Sequence, residues 1–428
     1  MALKKQLGFL PVMLSGIGII LGAGIYALIG KAAGVAGYGV WLSFVLAAIV
    51  AGFTGLSYAE LSSMIPKAGA EFHYAKKAFG KSIGFFTAWL LVLAGFISAA
   101  TVALGFGGYL QAFAGIPLIA GAIALLVACT VIIYFGIRQS TGIASVFTII
   151  EAAGLLIIIA IGLPLLFSPA VIGKVFDFGS FSMQFIVQAA ALIFFAYIGF
   201  EEIARLAEET KDAERNIPKA LLISIIVSTI LYVLVALAAV SVLSPEALAS
   251  SNAPLGDVAG KVFGSSAFLL LTIIALFSTA NTVLLILLAT SRLLYGIAED
   301  KELPHIISRV DRKTQTPTVA LIVAAVFSIA FLFFGNISTI ANATDFLLFA
   351  AFIVINLSVI KLRYSLPEAE RPFKIPFNIG KLPVIPVLGV LACLFLISGI
   401  EARIIGVGAA LAFLGLAFEK HHWRKHNA

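Results

Sequence analysis

The chain reads as long apolar runs separated by short polar connectors. A helix needs about 20 consecutive apolar residues to cross the hydrocarbon core of a bilayer. Runs of this kind predict spans at 9–30, 39–64, 83–113, 116–135, 142–167, 185–203, 220–243, 268–298, 318–334, 339–362, 384–399 and 404–418. The connector at 244–263 carries Pro245, Pro254 and many small residues, and is expected to form short helices over one mouth of the bundle. No connector is large enough to hold a soluble catalytic domain.

Composition agrees with the pattern. The chain is 61% hydrophobic and 11% charged, with a mean hydropathy of +1.11, whereas soluble domains carry about 25% charge. Lys4 and Lys5 resemble the start of a signal peptide, but the apolar run behind them is too long and lacks a small-residue cleavage site. It is read as the first span. The net charge of +7 takes its meaning from placement. With a cytoplasmic N-terminus, 24 of the 28 Lys and Arg fall on the inner side, leaving Lys31, Lys174, Lys261 and Arg403 outside. That asymmetry obeys the positive-inside rule, places both termini in the cytoplasm of a cell-membrane protein, and removes nucleic acid as a partner. The tail His421, His422, Trp423, Arg424, Lys425 and His426 suits anionic lipid headgroups. Cys129 and Cys393 sit in apolar runs, so neither a disulfide framework nor a metal site is expected.

Two spans are interrupted. The first holds Gly16, Gly18, Gly22 and Gly24, although glycine costs a helix about 1 kcal/mol relative to alanine. The sixth holds Ala196-Tyr197-Ile198-Gly199. Five spans lie between one start and the next, so the two begin on opposite sides. Broken helices at matching positions of two inverted halves point to a transporter site. Gly16 and Gly18 are read as packing glycines.

Unwinding at Gly22, Ala23 and Gly24 would free N–H groups at a helix N-terminus, which suit a carboxylate. Carbonyls near Ile20, and near Phe195 and Ile198 in the sixth span, suit an ammonium. Together they would hold a zwitterion, the physical case for an α-amino acid. Phe195 or Phe200 could cover the substrate as a gate. Acids inside a membrane are functional by default. Glu201, just past the second break, is a candidate proton-linked or gating carboxyl, with Glu202 a solvated or paired neighbour. Glu151, deep in the fifth span, either loads and releases a proton or makes a structural hydrogen bond. Glu60 is expected to pair with nearby lysines, and Asp345 to cap the tenth span or, as the alternative, to line the outer vestibule. Ser278, Thr279, Asn281 and Thr282 bring polar groups to the eighth span. Ser278 and Thr279 are the candidates there for an ion path.

Three stretches resemble the amino acid–polyamine–organocation superfamily of secondary transporters. They are Gly22-Ala23-Gly24-Ile25-Tyr26; Tyr58-Ala59-Glu60-Leu61 with Pro66-Lys67-Ala68-Gly69-Ala70; and Phe194 to Glu201. The resemblance implies an all-α integral membrane protein of about 12 spans with the LeuT-type fold of two inverted five-helix repeats. These would be 1–167 and 168–366, followed by two further helices in 367–428. It also implies that Gly22, Ala23 and Gly24 bind the substrate carboxylate. The carbonyls of Ile20, Phe195 and Ile198 would bind its amino group, Phe195 would be the stacking gate, and Glu201 would be linked to protons. Several proton-coupled relatives place a lysine in the fifth helix, where this chain has Glu151. The coupling ion is expected to be a proton, with sodium the alternative.

A non-enzymatic secondary amino acid transporter, most simply a proton symporter, is therefore the leading expectation, and an exchanger the alternative. The chain has no phosphate-binding loop for ATP, no membrane-embedded metal set or catalytic dyad, and too few polar residues for a continuous channel. A non-transporting receptor would need a larger signalling domain. No cofactor is expected, and a monomer or weak homodimer suffices. Neutral amino acids lead as substrates, with cationic ones or polyamines behind. A bulky residue at Gly24 is expected to abolish binding in a folded protein.

Overall fold

The computed structural model describes residues 7–67, 70–135, 141–300, 302–311, 314 and 316–426, without the side chains of 141–147, 208 and 416–426. Apart from a two-residue hairpin, β1 (Asn378–Ile379) with β2 (Leu382–Pro383), the described secondary structure is helical. This follows from solvent chemistry, since a segment in lipid must satisfy its backbone within itself.

The first span is two helices, α1 (Phe9–Leu21) and α2 (Ala23–Ala36), which meet at Gly22. Then come α3 (Val40–Met64), the short amphipathic α4 (Ala70–Phe79), α5 (Lys81–Ala114), α6 (Leu118–Tyr134), α7 (Thr141–Leu166) and α8 (Pro169–Val175). The second interrupted span starts as α9 (Met183–Ile193), tightens into a 3-10 turn over Phe194–Tyr197, and resumes only as the single turn α10 (Glu202–Arg205). After it run α11 (Ala213–Val242), the mouth helices α12 (Pro245–Ser250) and α13 (Pro254–Phe263), and α14 (Ser265–Glu299). The chain ends with α15 (Thr318–Phe331), α16 (Ile337–Ser365), α17 (Val384–Ile397) and α18 (Ala402–His426). The mouth helices form where the proline-rich connector predicted them.

Seven described stretches are long and apolar enough to cross a membrane; the first, Phe9–Met64, contains α1, α2 and α3 together. The shorter helices α6, α15 and α17, with the first half of α18, are also apolar. Large apolar side chains such as Ile149, Ile226, Ile230, Ile273 and Val326 are exposed. A surface of that kind suits lipid. Some buried polar residues face one another: the Ser57 hydroxyl donates to Asn356 Oδ1 at 2.6 Å, and Asn356 Nδ2 donates to Thr54 Oγ1 at 3.1 Å.

Two packing relations position the site. Helix α11 lies against α1, α3 and α7, while α5 is enclosed by α6, α14, α15 and α16. The two broken spans pass between them, antiparallel and in close register. Gly39 abuts the Phe181 ring at one end, Gly24 the backbone of Ala196 in the middle, and Gly16 the Ile203 side chain at the other. Small residues let the backbones approach, and here they bring one break against the other. Gly18 meets the Thr148 side chain, so Gly16 and Gly18 are packing glycines as expected.

Candidate functional site

The first break is made by Gly22, with φ −36° and ψ −151°, which ends α1 and serves as N-cap of α2 without a side chain. The N–H groups that open α2 therefore lack a cap from their own chain segment. A hydroxyl from far along the sequence fills the role: the Ala23 N–H donates to Thr282 Oγ1 on α14 at 3.1 Å. A Cβ on Gly22 would lie 2.6 Å from that oxygen, so the contact requires glycine. Thr282 in turn donates to the Ser278 carbonyl at 3.0 Å.

The second break turns at Gly199, whose φ of +116° is left-handed and strained for any other residue. Its N–H donates to Glu201 Oε2 at 2.9 Å, and the glycine packs on Ile19. Tyr232 of α11 joins the two breaks. Its hydroxyl contacts the carbonyl oxygen of Ile20, the end of α1, and that of Ala196 at 2.9 Å. One proton serves two acceptors there.

The sequence-derived candidates fall into distinct groups. Ile20, Gly22, Ala23, Gly24, Phe195 and Ile198 all belong to the apposed breaks, and the Phe195 carbonyl accepts the Ile198 N–H at 3.3 Å. Phe200 stands apart from the gap. Its ring packs edge-on to Tyr58 at 5.8 Å and against Phe352 at 5.4 Å, within the aromatic core between α3 and α16. Gly24 has a second duty, since a Cβ there would sit 2.5 Å from Ala196 Cα. A bulky residue at Gly24 would thus force the spans apart, and lost binding would report on packing as much as on a cradle.

Glu151 is buried on α7. Its main-chain carbonyl accepts from the Tyr26 hydroxyl at 3.0 Å, tying α7 to α2. Ser278 and Asn281 direct polar groups toward its carboxyl. Neither carboxyl oxygen, nor the Ser278 hydroxyl, reaches a hydrogen-bond partner. Thr279 is satisfied within its own helix, donating to the Ala275 carbonyl at 2.7 Å. Glu201 is buried beside the second break.

From Glu201 a small cavity of about 60 Å³ runs along α5, α14 and α16. Ser98, Ile198, Thr290, Thr344 and Leu348 are among its lining residues, with Glu202 and Arg205. Glu202 and Arg205 carry it toward the end of the bundle that also holds Met64, Lys81 and Arg363, here termed the basic end. Two ion clusters close that end. Arg205 grips Glu71, with Nη2 to Oε1 at 3.0 Å, and Glu202 at 2.5 Å. Glu60 receives Arg363 in a two-pronged contact at 2.6 and 2.7 Å, Arg371 at 3.3 Å, and the Ile375 N–H at 3.0 Å. Glu60 is thus paired with arginines about 300 residues away rather than with nearby lysines. Asp345 also departs from expectation. The cap of α16 is Asn336, whose side chain accepts from the Thr339 N–H at 2.9 Å, and Asp345 lies two turns inside the helix. Sequence reasoning passed over Tyr232 altogether. A lone tyrosine in an apolar span was the available signal, since a buried phenol needs a partner.

A bundle of apolar helices built around two facing breaks is the architecture of a multi-pass membrane transport protein rather than of an enzyme. The sequence profile described as "Amino acid permease" matches residues 7–414, and the chain belongs to that family. It is 30% identical to the branched-chain amino acid permease BcaP of Bacillus subtilis, over 100% of this chain and 94% of that protein. It is 29% identical to the methylthioribose transporter of the same organism, over 92% of this chain and 88% of that one. It is also 29% identical to the vacuolar cationic amino acid transporter 4 of Arabidopsis thaliana, over 86% of this chain and 64% of that protein.

Proposed function

We propose that the chain is a secondary amino acid transporter of the cell membrane that works by alternating access around the apposed breaks. One observation carries this reading: backbone donors at the start of α2 and backbone acceptors at the end of α1 and near Ala196 converge in one small region. The Ala23 N–H and the Ile20 and Ala196 carbonyls are engaged by the Thr282 and Tyr232 hydroxyls, which a zwitterion can displace, while the Phe195 carbonyl accepts the Ile198 N–H. The carboxylate goes to the N–H groups of Gly22, Ala23 and Gly24, at the positive end of the α2 dipole. The ammonium goes to the carbonyls of Ile20, Phe195 and Ile198. Phe195 covers the substrate, and the basic end faces the cytoplasm. The two halves, 1–167 and 168–366, act as inverted repeats that rock against each other.

Glu151 is the coupling group. Its carboxyl lies near Ser278 and Asn281 of α14, and its backbone holds Tyr26 of α2, so a change in its protonation acts on both walls of the first break. Glu201 responds second, through its bond to Gly199.

The test is counterflow in proteoliposomes. Trans-stimulated accumulation of a labelled amino acid is expected, and its absence for every amino acid in a full panel rejects the reading. Glu151→Gln is expected to keep counterflow while losing pH-driven accumulation. Full pH-driven concentrative uptake in that variant would remove Glu151 from the coupling step.

A further inference from the structure

Asp345 has no part in the roles given above. It lies on α16 and is fully buried, and both its carboxyl oxygens lack a hydrogen-bond partner. The polar group beside it is the backbone N–H of Phe195, in the second break. Its neighbour Thr344 and Leu348, three residues on, both line the cavity that also touches Ile198 and Glu201. Residues three apart share a helix face. Asp345 therefore sits between two cavity-lining residues along α16 without lining the cavity itself.

Most of the other buried acids are provided for: Glu60 and Glu71 are held by arginines, and Glu201 accepts from Gly199. Glu151, unpaired like Asp345, has Ser278 and Asn281 near its carboxyl and the coupling role proposed above. Among the described residues no salt bridge or hydrogen bond reaches the Asp345 carboxyl oxygens. An acid at membrane depth with no counter-charge is expensive to maintain and marks a substrate or ion path. The positive group it lacks must therefore arrive with the cargo or as a proton. In the proposed site the carbonyls of Ile20 and Ile198 already serve the α-ammonium, so a second carboxyl matches a second positive charge. Phe195, whose N–H lies beside Asp345 and whose side chain is buried, offers an apolar face for the methylene stem of a long cationic side chain. Ser98 and Thr290 line the approach.

We propose that Asp345 is a specificity residue that accepts the side-chain ammonium or guanidinium of a cationic amino acid. The proposal rests on the reading of the apposed breaks as an amino acid site, and it reverses the order suggested by sequence, which put neutral substrates first.

The experiment measures counterflow of labelled L-lysine, L-arginine and L-leucine by the full chain in proteoliposomes, together with lysine-induced thermal shifts of the purified protein. Wild type is expected to move lysine and arginine. Asp345→Asn is expected to lose roughly ten- to a hundredfold in lysine uptake, the worth of a hydrogen bond to a charged group, and to lose the lysine shift while leucine counterflow stays within about twofold. Asp345→Glu is expected to restore part of the lysine uptake. Wild type that carries leucine but neither binds nor moves lysine overturns the proposal and leaves the amino acid reading intact. So does an Asp345→Asn variant that loses leucine and lysine equally, the result expected if the carboxyl carries a coupling proton. Failure to move any amino acid rejects the underlying reading instead.

Discussion

Two hydroxyls do more to define the site than any charged group near it. Thr282 caps the first N–H of α2, and Tyr232 bridges carbonyls from both breaks. Thr282→Val strips the cap and leaves a buried N–H unpaired, at a cost of about 1–3 kcal/mol. The substrate-free variant should melt below wild type, and a bound amino acid, whose carboxylate repairs the loss, should raise its melting temperature by more than it raises that of wild type. Equal shifts in the two proteins would argue against a carboxylate at Ala23. Tyr232→Phe strands two carbonyls at once and should lower stability by about the same range or more, measurable by thermal denaturation in detergent. Neither contact was legible from sequence. Thr282 lies 259 residues from Ala23, and helical periodicity places a residue on a face without naming the face opposite. The glycines were legible because a run of poor helix formers inside a span is itself an anomaly. Asp345 was visible as an intramembrane acid but misassigned. Even with the tenth span starting at 339, it lies more than a turn inside the helix, and Asn336 holds the cap.

At the level of elements, both breaks were foreseen, and their extents were not. The first costs a single residue, because Gly22 turns the chain and α2 resumes at once. The second consumes everything from Phe194 to Glu201 before one short turn reforms. Aromatic and small residues alternate through that stretch, and local propensity does not say how far it unwinds. What fixes it is apposition: Ala196 is held by Gly24 and Tyr232, and Gly199 by Ile19. Gly199→Ala adds a Cβ in a left-handed conformation and drives it into Ile19, so overpacking and backbone strain act together. A loss of about 1–3 kcal/mol is expected, with transport falling further than stability because the break is part of the site. Uptake normalised to folded protein, measured by size-exclusion recovery, checks this. Unimpaired uptake would mean that the turn at Gly199 is incidental.

Across the whole molecule, hydropathy and charge placement carried most of the information. A chain this apolar has only helical bundles and barrels open to it, and the spacing of its runs selects helices. Which connectors meet was beyond reach. Glu60 sits among lysines in sequence, yet the fold brings it Arg363 and Arg371 from the far end of the chain. Arginine's planar fork matches a carboxylate in a way that lysine cannot. The Arg205 cluster shares the basic end with the cavity. Arg205→Gln removes a cation common to Glu71 and Glu202, and should bias the carrier toward opening there. With Thr290→Cys as reporter, labelling by a membrane-impermeant maleimide added from the basic side should be faster with Arg205→Gln than with Arg205 intact. Unchanged labelling would assign the cluster to folding alone.

The bonds made by Thr282 and Tyr232 also bear on how the carrier returns. In the proposed cycle cargo does not fill bare backbone; it trades places with hydroxyls that the protein keeps at hand. Binding is then a swap of comparable bonds, its net gain is small, and release is correspondingly easy. More tellingly, a carrier that satisfies its own breaks after unloading avoids the desolvation barrier that bare backbone would raise to reorienting alone. Obligatory exchange needs such a barrier, and net uptake needs its absence. Preloaded vesicles diluted into amino acid-free buffer should therefore lose label at a rate within about tenfold of the exchange rate, a barrier difference of no more than about 1.4 kcal/mol.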